Sequence, residues 1–318
     1  FYDVNTSTFI DNSFFQLDSP LSLLKFPKLK LFNRLRMGIV LGYLKYFADW
    51  RNLERFTAVN WLEKYIGQEG YKTIWEPLLR GKFGQYANQV NMAWFWARIK
   101  ARSQKLGYFE GGFLALAQTL VKQIEVKGGK FNFKFQISNF KLITDKFDKV
   151  IVCGAMGLTK PTIPYLGSVT VVLRLKLRLL PDGIYWLNIN NPGWPFLAVV
   201  EHTNMIGRSH YNNEHLVYIG KYLPMDDHCM TMNDSDLLSL YAPYLSQLNK
   251  DWQKNLIGYK IFRAKFTQPV MPVNYSSQIP KFTTDNPKVL AANMQMVYPW
   301  DRGTNFAVEL GQKIASFI

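Results

Sequence analysis

Cysteine is scarce in this chain, with two in 318 residues. Cys153 and Cys229 cannot supply a disulfide framework, so a packed core must provide stability and a reducing compartment is the expected setting. Long apolar runs are missing too. No stretch approaches the ~18–20 residues that a membrane span requires; the nearest, Met37 to Leu44, is bounded by Arg36 and Lys45. No signal-peptide pattern is visible, and a cytoplasmic protein, with the membrane surface as an alternative location, is expected. Histidine is rare, and His202, His210, His215 and His228 lack metal-ligand spacing, so no metal site is expected. Neither a Gly-x-Ser-x-Gly elbow nor a Walker loop occurs. Acidic residues number 23 against 38 basic ones, a formal net charge of +15. Such a charge suits nucleic acid, anionic lipid or an acidic substrate. No run of five or six cations concentrates it, and a general drift toward Lys, Asn, Ile and Phe accounts for it better than nucleic-acid binding.

What is present is ample apolar material, 48% hydrophobic and 15% aromatic, enough for a sizeable core and two domains. Short strands flank an Asp11-Asn12 turn. Periodicity then predicts helices over 21–26, 29–50, 58–66, the stretch from Tyr71 to Pro77, and 91–102. In the second of these, Leu31, Leu35, Ile39 and Tyr43 recur at helical spacing and are expected to form its apolar face. After Gly107 the pattern becomes α/β, with a helix over 114–126 and strands over 131–137, 141–144 and 150–153. Further β-rich runs follow between Val169 and Thr203 and over 215–223, then a helix over 234–248 and a strand over 256–266. The alternation through Val172–Leu177 marks a sheet with one wet face. Finally, Val289–Ala292 reads as a buried strand that a glycine-bearing turn, Asp301-Arg302-Gly303-Thr304-Asn305, joins to a terminal helix. In that helix Phe306, Val308, Leu310, Ile314 and Phe317 suit one broad face. A strand feeding a helix in this way offers free backbone N–H groups to an anion, although an ordinary capped helix fits equally well.

Three stretches carry the candidate chemistry. Trp75-Glu76-Pro77-Leu78-Leu79-Arg80-Gly81-Lys82-Phe83-Gly84 sets two cations among glycines, where backbone could approach a ligand closely. By itself it reads more readily as a glycine-capped helix end with solvated cations. Glu110-Gly111-Gly112-Phe113 precedes a helix. Glu201-His202-Thr203-Asn204 closes a β-run, with His202 a candidate acid or base and a structural role the more frequent one.

The C-terminal segment resembles the flavin-binding tail of the FAD-dependent amine oxidase, protoporphyrinogen oxidase and phytoene desaturase superfamily. The Trp75–Gly84 string resembles a signature of a bacterial NAD(P)/FAD-dependent oxidoreductase subfamily, and Gly111-Gly112 fits the same order. The resemblance implies an α/β fold: a split FAD-binding Rossmann-like domain (106–160 and 288–318) with an inserted substrate domain of helices (1–105) plus a mixed sheet (161–287). It implies FAD as cofactor, lined by Gly111, Gly112, Ile137, Asn293, Asp301, Arg302, Gly303, Thr304 and Asn305, with Arg80 and Lys82 on the substrate side. Asn293 stands where the family commonly has an acidic residue; an amide can still donate and accept. The Gly-x-Gly-x-x-Gly turn that seats a pyrophosphate is absent. In the family it lies ahead of the region matched by Phe1, so the sequence is expected to be a fragment without the first β-α-β unit, poor at holding FAD alone.

The function implied is flavin-dependent oxidation of a small molecule by hydride transfer, and the aromatic first hundred residues suit a lipophilic one as well as they suit plain core packing. A partner at the membrane surface is compatible with it, and nucleic acid is not expected. Two alternatives stay open: an isomerase of the sugar-nucleotide mutase type, with Arg80 and Lys82 on a diphosphate, and a non-enzymatic basic surface-binding protein.

Overall fold

The computed structural model of the chain describes residues 1–103, 105–132, 140–154 and 163–318. The chain begins with β1 (Tyr2–Asp3), β2 (Asn5–Ile10) and β3 (Ser13–Gln16). Asp11 and Asn12 both have positive φ in the turn joining β2 to β3. The helical part follows: α1 (Pro20–Lys25), α2 (Leu31–Tyr46), α3 (Trp50–Leu53), α4 (Ala58–Ile66), α5 (Gln68–Gly70), α6 (Glu76–Phe83) and α7 (Met92–Lys100). Helix α4 has the limits its sequence predicts, because the Thr57 side chain caps it and Gly67, at φ 92°, ends it. A π-helical turn, Tyr71–Trp75, joins α5 to α6 just before Pro77, whose missing N–H removes a helical hydrogen bond.

Next come β4 (Lys105–Leu106), α8 (Gly112–Val126), α9 (Phe140–Lys146) and β5 (Val150–Cys153). Helix α9 corrects the strand expected over 141–144. Phe140, Ile143 and Phe147 recur at three- and four-residue spacing, which suits a helix better than the alternation of a strand. The strand expected over 131–137 lies mostly outside the described residues, and Ile137 does so entirely.

The sheet part contains β6 (Tyr165–Leu175), β7 (Ile184–Ile189), β8 (Ala198–Glu201), β9 (His215–Leu223), α10 (Asp234–Leu248) and β10 (Leu256–Pro269). Its seven strands run in the order β10-β6-β9-β8-β7-β2-β3, with β2 parallel to β7 and the other pairs antiparallel. Val169, Val171, Leu173 and Leu175 point inward from β6 into one core with Leu237, Tyr241 and Leu245 of α10. That is the half-buried alternation read from the sequence. The helices share a second core with residues of the C-terminal loops, including Tyr275 and Tyr298.

The chain closes with β11 (Val289–Ala292) and α11 (Thr304–Ala315). Strand β11 pairs in parallel with β5, although the whole sheet part separates them in sequence. Leu290, Ala292 and Ile314 form the small core of this unit. Two helix faces differ from expectation. In α11 Ile314 is buried and Leu310 packs beside it, whereas Val308 and Phe317 are exposed. In α2 the expected apolar face of Leu31, Leu35, Ile39 and Tyr43 is exposed, and Met37 and Leu44 are the fully buried residues. The i, i+4 rule recognised a stripe but not which of two apolar stripes faces the core.

Candidate active site

The site forms where α6, α7, β9 and the loop after β11 meet. Gly81 lets α6 settle against the sheet part, since a Cβ there would lie 2.7 Å from the Leu197 side chain. The close approach expected of this glycine is thus to protein. It turns the next residue, Lys82, inward, where only 8% of its side chain stays exposed. Helix α7 presents Trp94 and Arg98 one turn apart on the same face. Strand β9 contributes Tyr222, and the C-terminal loop contributes Asp301 and Arg302.

Asp301 is the hub. Its Oδ2 accepts a hydrogen bond from the Arg98 guanidinium and lies 3.7 Å from Lys82 Nζ. Lys82 Nζ also sits 4.8 Å from the centre of the Trp94 ring and 5.2 Å from that of Tyr222. Arg302 donates to the Thr267 carbonyl and the Tyr222 hydroxyl, and its guanidinium carbon is 5.0 Å from the same ring. Three basic side chains thus face one carboxylate, and Arg98 and Arg302 alone outweigh its charge; Lys82 is buried, whereas Arg98 is partly exposed. Burial, then Arg98, holds the Lys82 ammonium well below the ordinary lysine range, against the pull of Asp301. Burial alone would raise the Asp301 carboxyl, but Lys82, Arg98 and Arg302 together hold it below the usual range. The indole N–H of Trp94 is buried with no partner.

The loop that delivers Asp301 is fastened to the helices. The Tyr298 hydroxyl donates to Glu54 at 2.9 Å and accepts from Asn91 Nδ2 at 3.1 Å. Asn91 in turn caps α7 by accepting from the Trp94 backbone N–H. Trp300 packs on Trp96 and stacks on Phe306. At the head of the loop, Asn293 is buried, and its Oδ1 accepts from the Gln295 N–H. Gly303 leads into α11, and a Cβ on it would meet the Asn305 side chain at 2.8 Å. No side chain caps α11. Its first-turn N–H groups, beside Thr304 and Asn305, are therefore left for another acceptor.

The other candidates lie elsewhere. Arg80 is exposed and donates to Glu76 at 2.7 Å, because residues two apart on a helix do not share a face. Gly111 and Gly112 have φ of 73° and 77°, a local reason for glycine at both. A Cβ on Gly112 would meet the Tyr108 hydroxyl at 3.3 Å. The Tyr108 ring lies edge-on to His202 at 5.3 Å, so two residues with different expected roles share one aromatic neighbour. His202 is buried, its Nε2 is 2.7 Å from the Tyr211 hydroxyl, and burial lowers its pKa. Around neutral pH it is an uncharged ring in a box of tyrosines.

Sequence reasoning passed over Arg98, Trp94 and Tyr222. The i, i+4 spacing of Trp94 and Arg98 was the available signal; nothing local marked Tyr222. It also weighed His202 above its neighbours, although Glu201 and Thr203 belong to a second buried polar cluster. Glu201 accepts from the backbone N–H groups of Leu179 and Leu180 and from the Thr203 hydroxyl. Thr203 also contacts His215 Nδ1 at 3.1 Å. An open cavity of about 540 Å³, lined by His215, Arg178 and Arg208, lies beside this cluster. His215 and Tyr222 are seven residues apart on β9, about 23 Å along an extended strand, so the two polar clusters are separate.

No family model and no curated protein match the sequence. Solved structures match it in shape. Cyclohexylamine oxidase from Brevibacterium oxydans IH-35A superposes with a TM-score of 0.63 at 12% identity, covering 99% of this chain and 80% of that one. A protein provisionally called a protoporphyrinogen oxidase, from Exiguobacterium sp. 255-15, gives 0.63 at 13% identity, with the same coverage of 99% and 80%. Reduced UDP-galactopyranose mutase gives 0.63 at 11% identity over 99% of this chain and 77% of that one. The chain has the amine oxidase fold. The seven-stranded mixed sheet and the parallel pairing of β5 with β11, strands far apart in sequence, are the β-structure this chain brings to that fold.

Proposed function

We propose that the chain is an FAD-dependent oxidoreductase that takes a hydride equivalent from a small organic substrate. One observation carries this reading: Lys82 from the expected substrate side and Asp301 and Arg302 from the expected cofactor side meet in one buried cluster with unbalanced positive charge. The donor set fits FAD. Lys82, Arg98, Arg302, the unpartnered Trp94 N–H and the uncapped start of α11 all offer protons or positive charge to an acceptor-rich, anionic group. FAD, when bound, would supply the redox chemistry.

In this reading the chain's residues position and shield. Asp301, Arg302, Gly303, Thr304 and Asn305 hold the cofactor with Asn293, while Lys82 faces the substrate across Trp94 and Tyr222. The Trp94 and Tyr222 rings keep water from Lys82, which strengthens the field there, while Arg98 reaches toward solvent. Gly111 and Gly112 start α8 beside Tyr108 and His202, and the neutral His202 orients Tyr211 rather than carrying a proton. The parts 106–160 and 288–318 form the cofactor domain, and 1–105 with 161–287 form the substrate domain. Arg80, tied to Glu76, has only a peripheral part.

The test is a titration with FAD of the longest natural chain that carries this sequence. Quenching of flavin fluorescence and the two-band visible spectrum of a bound oxidised flavin are expected. A protein that neither quenches nor colours overturns the reading. The matching shape of UDP-galactopyranose mutase favours a second reading, an isomerase. Turnover of substrate with no electron acceptor present would select it.

A further inference from the structure

The exposed stripe of α2 continues onto α1 and has no place in the chemistry above. Phe32 and Ile39 are 72% and 74% exposed, and Leu31, Leu35, Tyr43, Tyr46 and the following Phe47 are exposed beside them. Leu21 and Leu24 of α1 are exposed as well. The opposite side of α2 is apolar too and buries Met37 and Leu44 in the helical core. A helix that is apolar on both sides while one side faces outward needs a second apolar medium.

Charge identifies that medium. Between Ser19 and Ala48 there is no Asp or Glu, while Lys25, Lys28, Lys30, Arg34, Arg36 and Lys45 supply six cations. The acids that reach this region come from outside it. Asp11 pairs with Lys28 at 2.7 Å, Glu69 accepts from the Lys30 backbone N–H and the Asn33 side chain, and Asp18 accepts from the Ser22 hydroxyl without pairing with a cation of the segment. Arg34 and Arg36 spend their hydrogen bonds on neutral carbonyls of Leu24, Leu29, Lys64 and Tyr65, so their charge is not cancelled. No helix is long and apolar enough to cross a membrane among the described residues. An apolar stripe rimmed by cations on a helix of sixteen residues is the pattern of an element lying in the plane of a lipid interface. A second copy of the chain would bring like charges together, which disfavours self-association.

We propose that α1 and α2 form a docking surface for a bilayer containing anionic phospholipid. Phe32, Leu35, Ile39 and Tyr43 enter the headgroup–acyl boundary while Lys25, Lys30 and Lys45 meet the phosphates. The inference stands apart from the flavin reading and would survive its failure.

The test is co-sedimentation of the full chain with vesicles of phosphatidylcholine alone or of phosphatidylcholine and phosphatidylserine in equal parts. The protein should pellet with the anionic vesicles and be released as salt rises from about 0.1 to about 0.5 M. Phe32→Asp combined with Ile39→Asp should weaken partitioning about tenfold or more. Both positions are exposed, so the fold should be kept, which circular dichroism checks. Leu240→Asp, at an exposed site on α10, should leave binding unchanged. Failure to bind anionic vesicles overturns the proposal. So does equal binding by the paired Asp substitutions, or self-association without vesicles that the same pair abolishes.

Discussion

Asp301 and Glu201 are both largely removed from water, and the chain treats them in opposite ways. Asp301 is surrounded by charge, with three cations drawn from α6, α7 and its own loop. Glu201 takes its hydrogen bonds from dipoles, two backbone N–H groups and a hydroxyl, with the His215 ring 3.8 Å away and Arg178 as the cation that pulls on it. Burial then pushes the Glu201 carboxyl up, against the pull of those hydrogen bonds, while the cations hold the Asp301 carboxyl down. A carboxylate whose hydrogen bonds come from dipoles leaves little over. One that faces Lys82, Arg98 and Arg302 is outweighed by the two guanidinium groups alone, and an indole N–H beside it has no partner. The second arrangement costs desolvation that packing alone would not require, and it marks the place to look for a ligand.

The contrast can be broken by substitution. Asp301→Asn should cost about 3 kcal/mol in denaturant unfolding, because it takes the carboxylate from the buried Lys82 and from the partly exposed Arg98 and Arg302 together. Glu201→Gln should cost less, about 1–2 kcal/mol, since an amide oxygen can still accept from Leu179 and Leu180 and the Thr203 hydroxyl can turn. Equal losses would remove the distinction between the clusters.

Acid and base sharpen it further. Asp301 is depressed, so its contribution is in place above the ordinary carboxyl value of 3.8 and is lost as pH falls through the lower folded value. Glu201 is raised, so its contribution is complete below its ordinary 4.5 and is lost as pH rises through the higher folded value. The deficit of Asp301→Asn should therefore shrink on acidification below about pH 4, and that of Glu201→Gln should shrink as pH rises above about 4.5. Unfolding midpoints of both variants across that range supply the comparison. Slopes of the same sign would show that one environment has been misassigned.

Much of this arrangement was legible beforehand, for reasons that can be given residue by residue. Thr57 and Gly67 carry local backbone signals, and the helix between them has the limits they predict; Asp11-Asn12 marks a turn, though not the bounds of the strands beside it. The alternation through β6 fixed its inward face. The order of strand, glycine turn and helix placed β11 and α11. What failed was partner choice. The stripe Leu31-Leu35-Ile39-Tyr43 has the spacing of a core face, and only tertiary contacts reveal that Met37 and Leu44 occupy the core instead. Helix α9 was read as a strand because Leu142-Ile143-Thr144 is β-prone over so short a stretch. In the site, Lys82, Asp301 and Arg302 were named separately, but their meeting depends on contacts across more than two hundred residues. Tyr222 carried no local mark.

The smallest predicted effects separate two lysine- and arginine-based roles within one helix. Lys82→Met should leave stability nearly unchanged or raise it, because it removes an ammonium that burial and Arg98 already disfavour. With the wild-type Lys82 depressed, the folded state binds its proton less readily than the unfolded chain. Stability should thus climb as pH rises toward the ordinary lysine value of 10.5, and Lys82→Met should lose that part of the climb. The same substitution should weaken FAD binding about tenfold, since it removes a donor from the cluster. Arg80→Ala lies two residues away and breaks only an exposed i, i+4 pair with Glu76, worth about 0.3–0.5 kcal/mol. It should leave the FAD titration where it was. If Arg80→Ala weakened flavin binding as much as Lys82→Met, the inward turn of α6 at Gly81 could not be what selects between the two cations, and the assignment of the site to the Asp301 side of the helix would fall.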